Sequence, residues 1–116
     1  MMDQEWLRLD DLLRRTRLGI ADHELSRDRV QAQIISLEQE EAKLAAQAVK
    51  ARQLGREDLA HVALARQQEA AGRRAELAVQ LDQVLAGEAK LTVAAQRLRT
   101  KKARYQFGLD DQAGEP

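Results

Sequence analysis

Apolar residues recur along almost the whole chain at alternating steps of three and four, the spacing of a helix that packs along one stripe against a partner. The pattern runs through two long stretches and is interrupted once, by the sequence GRED at residues 55–58. We call the residues on the two stripes the seam. In the first stretch the seam is Leu9, Leu13, Thr16, Ile20, His23, Arg27, Val30, Ile34, Leu37, Glu41, Leu44, Ala48 and Ala51. In the second stretch it is Ala60, Ala63, Gln67, Ala70, Arg74, Leu77, Leu81, Val84, Glu88, Leu91, Ala95, Leu98, Lys102 and Tyr105.

The composition between these positions also favours helices. The one proline is the last residue, and only Trp6, Tyr105 and Phe107 are aromatic. Ala, Leu, Glu, Gln and Arg dominate the remainder, as is typical of long helices and coiled coils. We therefore predict an all-α fold.

The interruption predicts a turn. Gly55 suits the left-handed position that follows the end of a helix. Glu57 and Asp58 suit the first turn of the next helix, where exposed N–H groups favour negative charge. A short connection between two helices favours antiparallel neighbours. We predict a two-helix antiparallel coiled-coil hairpin over residues 1–108, with helices at 4–54 and 58–106, a turn at 55–57 near Gly55–Asp58, and a flexible polar tail at 109–116.

The seam also predicts a register. If facing residues have numbers that sum to about 111, Ile34 faces Leu77 and the other apolar seam residues meet in the same way. A helix that continued through Gly55 would make the same pairs between two chains, as an extended swapped dimer. The sequence leaves that alternative open.

Five of the polar residues in the seam are predicted to lie near one another across the two helices. In the predicted register His23 faces Glu88 with Arg27 one turn away, and Glu41 lies one turn from Arg74. Polar seam residues fix register at some cost in stability. A second hypothesis makes His23 a pH switch that acts through Glu88, because histidine titrates near neutral pH.

Several classes of function lack support in the sequence. Basic and acidic residues number nineteen each, which disfavours a general nucleic-acid binder. There is no cysteine, no long apolar run and no secretion signal, which suits the cytoplasm. Glu57, Asp58 and His61 share a helix face but fall short of a good zinc ligand set. We predict a non-enzymatic protein without a metal or cofactor.

Basic residues concentrate at the open end of the predicted hairpin, opposite the turn. Acidic neighbours offset part of this charge, so a solvated surface with local ion pairs accounts for it simply. The alternative is a patch that binds anionic lipid, with the chain peripheral at the inner face of the membrane. Its residues would be Arg14, Arg15, Arg17, Arg97, Arg99, Lys101, Lys102 and Arg104.

The residues around the turn resemble a known family. The pattern AxxAxxxGREDLAxxAL, from Ala48 to Leu64, is similar to the hairpin tip of the phage-shock-protein A family, which includes the vesicle-inducing protein of plastids and belongs with the ESCRT-III-like membrane remodellers. The order and lengths of the helices over residues 6–106 are also similar. In that family an amphipathic helix precedes the hairpin and further helices follow it, whereas in this sequence the long helix is predicted to begin by about residue 4 and a polar tail follows the second helix. The resemblance therefore implies the hairpin's adaptor role, in which it restrains a ring-forming regulator of transcription, more than membrane remodelling.

Together these observations predict a non-catalytic interaction module, and the resemblance implies that it acts in a bacterial membrane-stress response. It would act by self-association as a homo-oligomer or by binding a regulatory protein. The turn residues Gly55, Arg56, Glu57, Asp58 and Leu59 are candidates for partner contact. A lipid-binding peripheral protein and a purely structural coiled-coil spacer are the alternative functions.

Overall fold

The protein consists of two long antiparallel α-helices in a computed structural model that describes residues 4–108. Helix α1 spans Gln4–Gln53 and helix α2 spans Glu57–Gln106, each with 50 residues. The predicted all-α helical hairpin is confirmed. The predicted tail at 109–116 lies outside the described residues.

Helix α1 ends in a glycine cap. The N–H of Arg56 donates to the carbonyl of Ala51 at 2.8 Å, and the N–H of Gly55 donates to that of Arg52 at 3.0 Å. These two bonds form a Schellman motif, with Gly55 at a φ of 72°. Leu54 thereby becomes the cap residue, so α1 ends one residue earlier than the sequence predicted.

Helix α2 begins directly after the cap, at Glu57. The N–H of Ala60 donates to the carbonyl of Arg56 at 3.1 Å, the first bond of the new helix. Glu57 and Asp58 both lie in the first turn, where they complement the helix dipole. The helix therefore begins one residue before the predicted position, and residues 54–56 connect the two helices.

Contacts within the chain define two compact units. One is the continuous segment Ser26–Gln83, which contains the turn and which we call the tip unit. The other combines Met1–Leu25 with Val84–Pro116, and we call it the terminal unit. Every seam residue in both units is buried or half-buried, as expected if the seam is the face that each helix packs against the other.

The core of the tip unit is built mainly from small side chains. Val30 and Leu44 are its two larger buried residues. The other buried positions are alanines, and those nearest the turn let the two backbones approach where the chain reverses. These alanines are Ala48, Ala51, Ala60, Ala63 and Ala70.

The core of the terminal unit is formed by Leu9, Leu13 and Ala95, which are all almost fully buried. Gly19 lies against Leu91, where an added Cβ would be 3.1 Å from the Cδ1 atom of the leucine. This contact agrees with the predicted register to within one residue. Large leucines therefore pack this unit, in contrast to the alanines near the turn.

Candidate functional site

The polar residues of the turn bind one another. Arg56 donates to Asp58 through Nε and Nη2, each at 3.2 Å from a carboxylate oxygen. This guanidinium, helped by the N–H of Leu59, holds the pKa of the Asp58 carboxyl below its usual value. Arg52 and Glu57 form an ion pair at 3.5 Å across the turn. The GRED residues thus shape the turn, and their charges are largely satisfied within the chain.

An apolar groove lies beside the turn, on one flank of the tip unit. We call it the tip groove, and its volume is about 340 Å³. Buried Ala51 and Ala63 form its floor, while Leu54, Leu59 and Val62 form its walls. Leu54 is 69% exposed and Val62 is 48% exposed, which is high for side chains of this size. Its lining is Gln47, Lys50, Ala51, Leu54, Leu59, Val62, Ala63 and Arg66.

The charged residues of the tip groove are both cations. Lys50 comes from α1 and Arg66 from α2, and both are exposed. Neither forms an ion pair with another residue in 4–108. Of the predicted turn contacts, only Leu59 lines the groove. The sequence analysis missed Leu54, Val62 and the two cations, although their spacing places them on helix flanks beside the seam.

A second apolar surface lies on α1 within the tip unit, which we call the outer stripe. Its members are spaced at helical steps of three, four and seven, and all are exposed. At 3.6 residues per turn they lie on the side of α1 turned away from the seam. They are Ala32, Ile35, Ala42, Ala46 and Val49.

The Glu41–Arg74 seam pair forms as predicted. Arg74 donates to the Glu41 carboxylate through Nε at 2.5 Å and through Nη2 at 3.1 Å, in a bidentate geometry. The hydrogen bond from Arg74 lowers the pKa of Glu41, and the same bond raises the pKa of Arg74. The Glu41 side chain is 16% exposed, so the pair lies at the edge of the core.

His23 packs against a glycine on the facing helix. Its Nδ1–H donates to the carbonyl of Gly19 at 2.9 Å, which leaves Nε2 directed at Gly87. A Cβ at Gly87 would be 2.5 Å from that Nε2 atom. Gly87 therefore makes the space that the imidazole occupies. Glu88, the predicted partner of His23, directly follows Gly87 and is half-buried. Arg27, also on the seam, forms an ion pair with Asp28 at 3.3 Å.

The predicted basic patch divides into two parts. On α1, Arg14 pairs with Asp10 at 2.6 Å and Arg15 pairs with Asp11 at 2.9 Å. Lys102 of α2 also binds Asp10 at 2.6 Å, and its Nζ lies 4.4 Å from the centre of the Trp6 ring. The hydrogen bond from Lys102, together with Arg14, lowers the pKa of Asp10. Each of these three cations therefore has a carboxylate partner within the chain, with Asp10 shared by Arg14 and Lys102.

The remaining cations do not lie on one surface. Arg97 and Arg99 project from nearly opposite sides of α2. Positions two residues apart in an α-helix are rotated by about 200° about the helix axis. Arg97, Lys101 and Arg104 share one flank and line a shallow depression of about 520 Å³ with Val93 and Thr100. Neither Arg97 nor Lys101 forms an ion pair with another described residue. We call Lys90, Val93, Arg97, Thr100, Lys101 and Arg104 the basic stripe.

Two further observations concern metals and membranes. Within residues 4–108 no three histidine, aspartate or glutamate side chains are grouped so that they could hold a metal ion. His61 lies 3.8 Å from Glu57 and the two form a helix-start pair. Neither helix, over the described residues, contains a stretch that is long and apolar enough for a bilayer span.

Comparisons of the chain with protein-family models, with curated proteins and with solved structures found no match.

Proposed function

We propose that this chain is a non-catalytic interaction module that associates with copies of itself and binds a regulatory protein. The resemblance of Ala48–Leu64 to the phage-shock-protein A hairpin tip supports a setting in the cytoplasm, in a bacterial response to membrane stress. The proposal concerns the surfaces that the two helices leave uncovered once the seam is packed.

The outer stripe is the observation that carries this proposal. A two-helix hairpin buries one stripe of each helix, and the opposite side of a helix is ordinarily polar. Here Ile35 and Val49 are each 55% exposed, and the three alanines of the stripe lie at helical steps between and beside them. Small residues at such steps allow a second helix to approach closely, as in side-by-side association of two hairpins.

The oligomeric state tests self-association. Multi-angle light scattering of the wild type should give a mass above that of a monomer, and Ile35→Asp with Val49→Asp should reduce it to that of a monomer. The matched control is Val79→Asp with Leu85→Asp, which changes the same number of exposed apolar residues on the other helix. A wild-type chain that is monomeric at all concentrations, and that co-purifies with no other protein, would refute the proposal.

A second candidate function is peripheral binding to anionic membrane at the inner face of the bilayer. The basic stripe favours it, because Arg97 and Lys101 have no ion-pair partner among the described residues, and Val93, one helical turn before Arg97, is 45% exposed. Basic residues near an anionic bilayer each contribute about 1 kcal/mol of attraction.

Liposome co-sedimentation tests this second function. Binding should rise with the fraction of phosphatidylglycerol, fall with salt, and be lost in Arg97→Glu with Lys101→Glu. The control is Arg29→Glu with Arg73→Glu, which makes the same change of charge in the tip unit. Equal loss in both variants would show only a dependence on net charge and would refute a role for the stripe.

A further inference from the structure

We propose that the tip groove is the docking site for an amphipathic helix of a partner protein, one whose apolar side chains are flanked by carboxylates. The inference rests on the proposed function, since it names the chemistry of the regulatory partner and the surface that binds it. The groove is separate from the outer stripe, to which self-association is assigned.

The shape of the groove favours a helix as its occupant. Two helices converge at the turn, and the alanines between them form a low floor between taller walls. A groove of this kind accepts apolar side chains that a helix presents at positions i, i+3 or i+4, and i+7. Leu54 lines the groove from the end of α1, and Leu59 and Val62 line it from α2. These three side chains are the apolar contacts that the partner would cover.

The charges that line the groove predict that the partner helix is acidic. Lys50 and Arg66 line it from opposite helices, and none of the eight lining residues is acidic. The nearby carboxylates of Glu57 and Asp58 are already bound by Arg52, Arg56 and the start of α2. A partner that carries aspartate or glutamate beside its apolar side chains could form ion pairs with both cations. No carboxylate of the groove lining would repel it.

The same charges argue against a second copy of the tip as the occupant. In a two-fold symmetric dimer the same surface meets itself. Lys50 and Arg66 of one copy would then share the interface with Lys50 and Arg66 of the other, and no lining residue could compensate. Like charges brought together in this way disfavour the complex. The groove is therefore assigned to a different protein.

The size of the groove sets the expected affinity. Stable complexes bury about 800 Å² on each partner. Eight lining residues, two of them alanines, offer a smaller surface than that. The interaction should therefore be weak and reversible, with sensitivity to salt because charged pairs at an exposed edge are screened. A transient contact of this kind suits regulation.

A peptide selection tests the proposal while the partner protein is still unidentified. The full chain is immobilised, and a display library of random helix-forming peptides is selected against it, with each enriched peptide re-measured by fluorescence anisotropy. We expect enriched peptides to share apolar residues at helical spacing together with aspartate or glutamate. No enrichment, or enrichment of basic peptides, would overturn the proposal.

Substitutions in the tip groove then test whether the peptides bind there. Val62→Asp should weaken the enriched peptides by about tenfold or more, whereas Val79→Asp, the same change at a 60% exposed valine elsewhere on α2, should change affinity less than about twofold. Lys50→Glu with Arg66→Glu should select basic peptides in place of acidic ones. Equal effects of the two valine substitutions, or an unchanged selection after charge reversal, would refute the assignment.

The outcomes separate this inference from the proposed function. A chain that self-associates through the outer stripe, but whose peptides bind Val62→Asp as well as the wild type, would refute the groove alone. A monomeric chain that co-purifies with no protein would refute the proposed function, whatever peptides the selection enriched.

Discussion

The contact between His23 and Gly87 allows a test of seam packing in which the same substitution has opposite signs at two sites. A methyl group at Gly87 would lie 2.5 Å from His23 Nε2 and 3.0 Å from its Cδ2 atom. Non-bonded heavy atoms prefer about 3.5 Å or more. Alanine in place of glycine inside a helix otherwise stabilises by about 1 kcal/mol. Overpacking of this kind costs about 1–3 kcal/mol, so we expect Gly87→Ala to lower the free energy of unfolding by up to about 2 kcal/mol.

Gly72 supplies the matched control. It lies in the interior of the same helix, but an added Cβ there meets no atom within 4 Å. Gly72→Ala should therefore gain the full benefit of helix propensity and raise the free energy of unfolding by about 1 kcal/mol. Urea denaturation at neutral pH, followed by far-ultraviolet circular dichroism, measures both variants under the same conditions.

A double-mutant cycle assigns the difference to the imidazole. In a His23→Ala background the overlap is removed, so Gly87→Ala should stabilise by about 1 kcal/mol, as Gly72→Ala does. The change of sign between the two backgrounds is the expected result. If Gly87→Ala were equally stabilising with and without His23, the ring would not occupy the space beside Gly87 and the reasoning would be refuted.

Three other predictions follow from the turn and the ion pairs. Gly55→Ala should destabilise by about 1–2 kcal/mol in the same urea assay, because Gly55 has a φ of 72°, and an unchanged midpoint would contradict the cap. Asp10 and Glu41 have lowered carboxyl pKa values, so their stabilisation is present above about pH 4 and is lost as pH falls through the folded values. Asp10→Asn with Glu41→Gln should therefore flatten the acid limb of a plot of stability against pH, and an unaltered limb would argue against both pairs. Ile34→Cys with Leu77→Cys should form a disulfide within one chain on oxidation, whereas a purely intermolecular product would indicate a swapped dimer.

Periodicity was sufficient to predict the seam, because in a two-helix hairpin burial depends almost entirely on which side of each helix a residue occupies. The charged residues Glu41 and Arg74 fell on the seam for the same reason, and the register then brought them together. The predicted end of α1, at residue 54, was one residue beyond the observed end at Gln53. The sequence predicts that Gly55 follows the end of the helix. The hydrogen bond from Arg56 to Ala51 then determines that Leu54 is the cap residue and Gln53 the last residue of α1.

The surfaces were harder to predict than the core. The neutralisation of Arg14 by Asp10 and of Arg15 by Asp11 could have been read from their spacing of four residues. The tip groove could not, because it depends on which flanks of the two helices lie on the same side. The role of Gly87 likewise required the position of the facing histidine ring, which spacing alone does not give.

The division of the chain into a continuous tip unit and a discontinuous terminal unit has a consequence for folding kinetics. The two bonds of the cap join residues three and five apart, Glu41 and Arg74 are 33 apart, and Asp10 and Lys102 are 92 apart. Because closing a longer loop costs more entropy, we expect the tip unit to form first and the terminal unit to follow. Ala60→Gly should then slow folding, whereas Ala95→Gly, at an equally buried position in the terminal unit, should chiefly accelerate unfolding. The reverse partition in stopped-flow measurements would mean that the chain ends meet before the turn is formed.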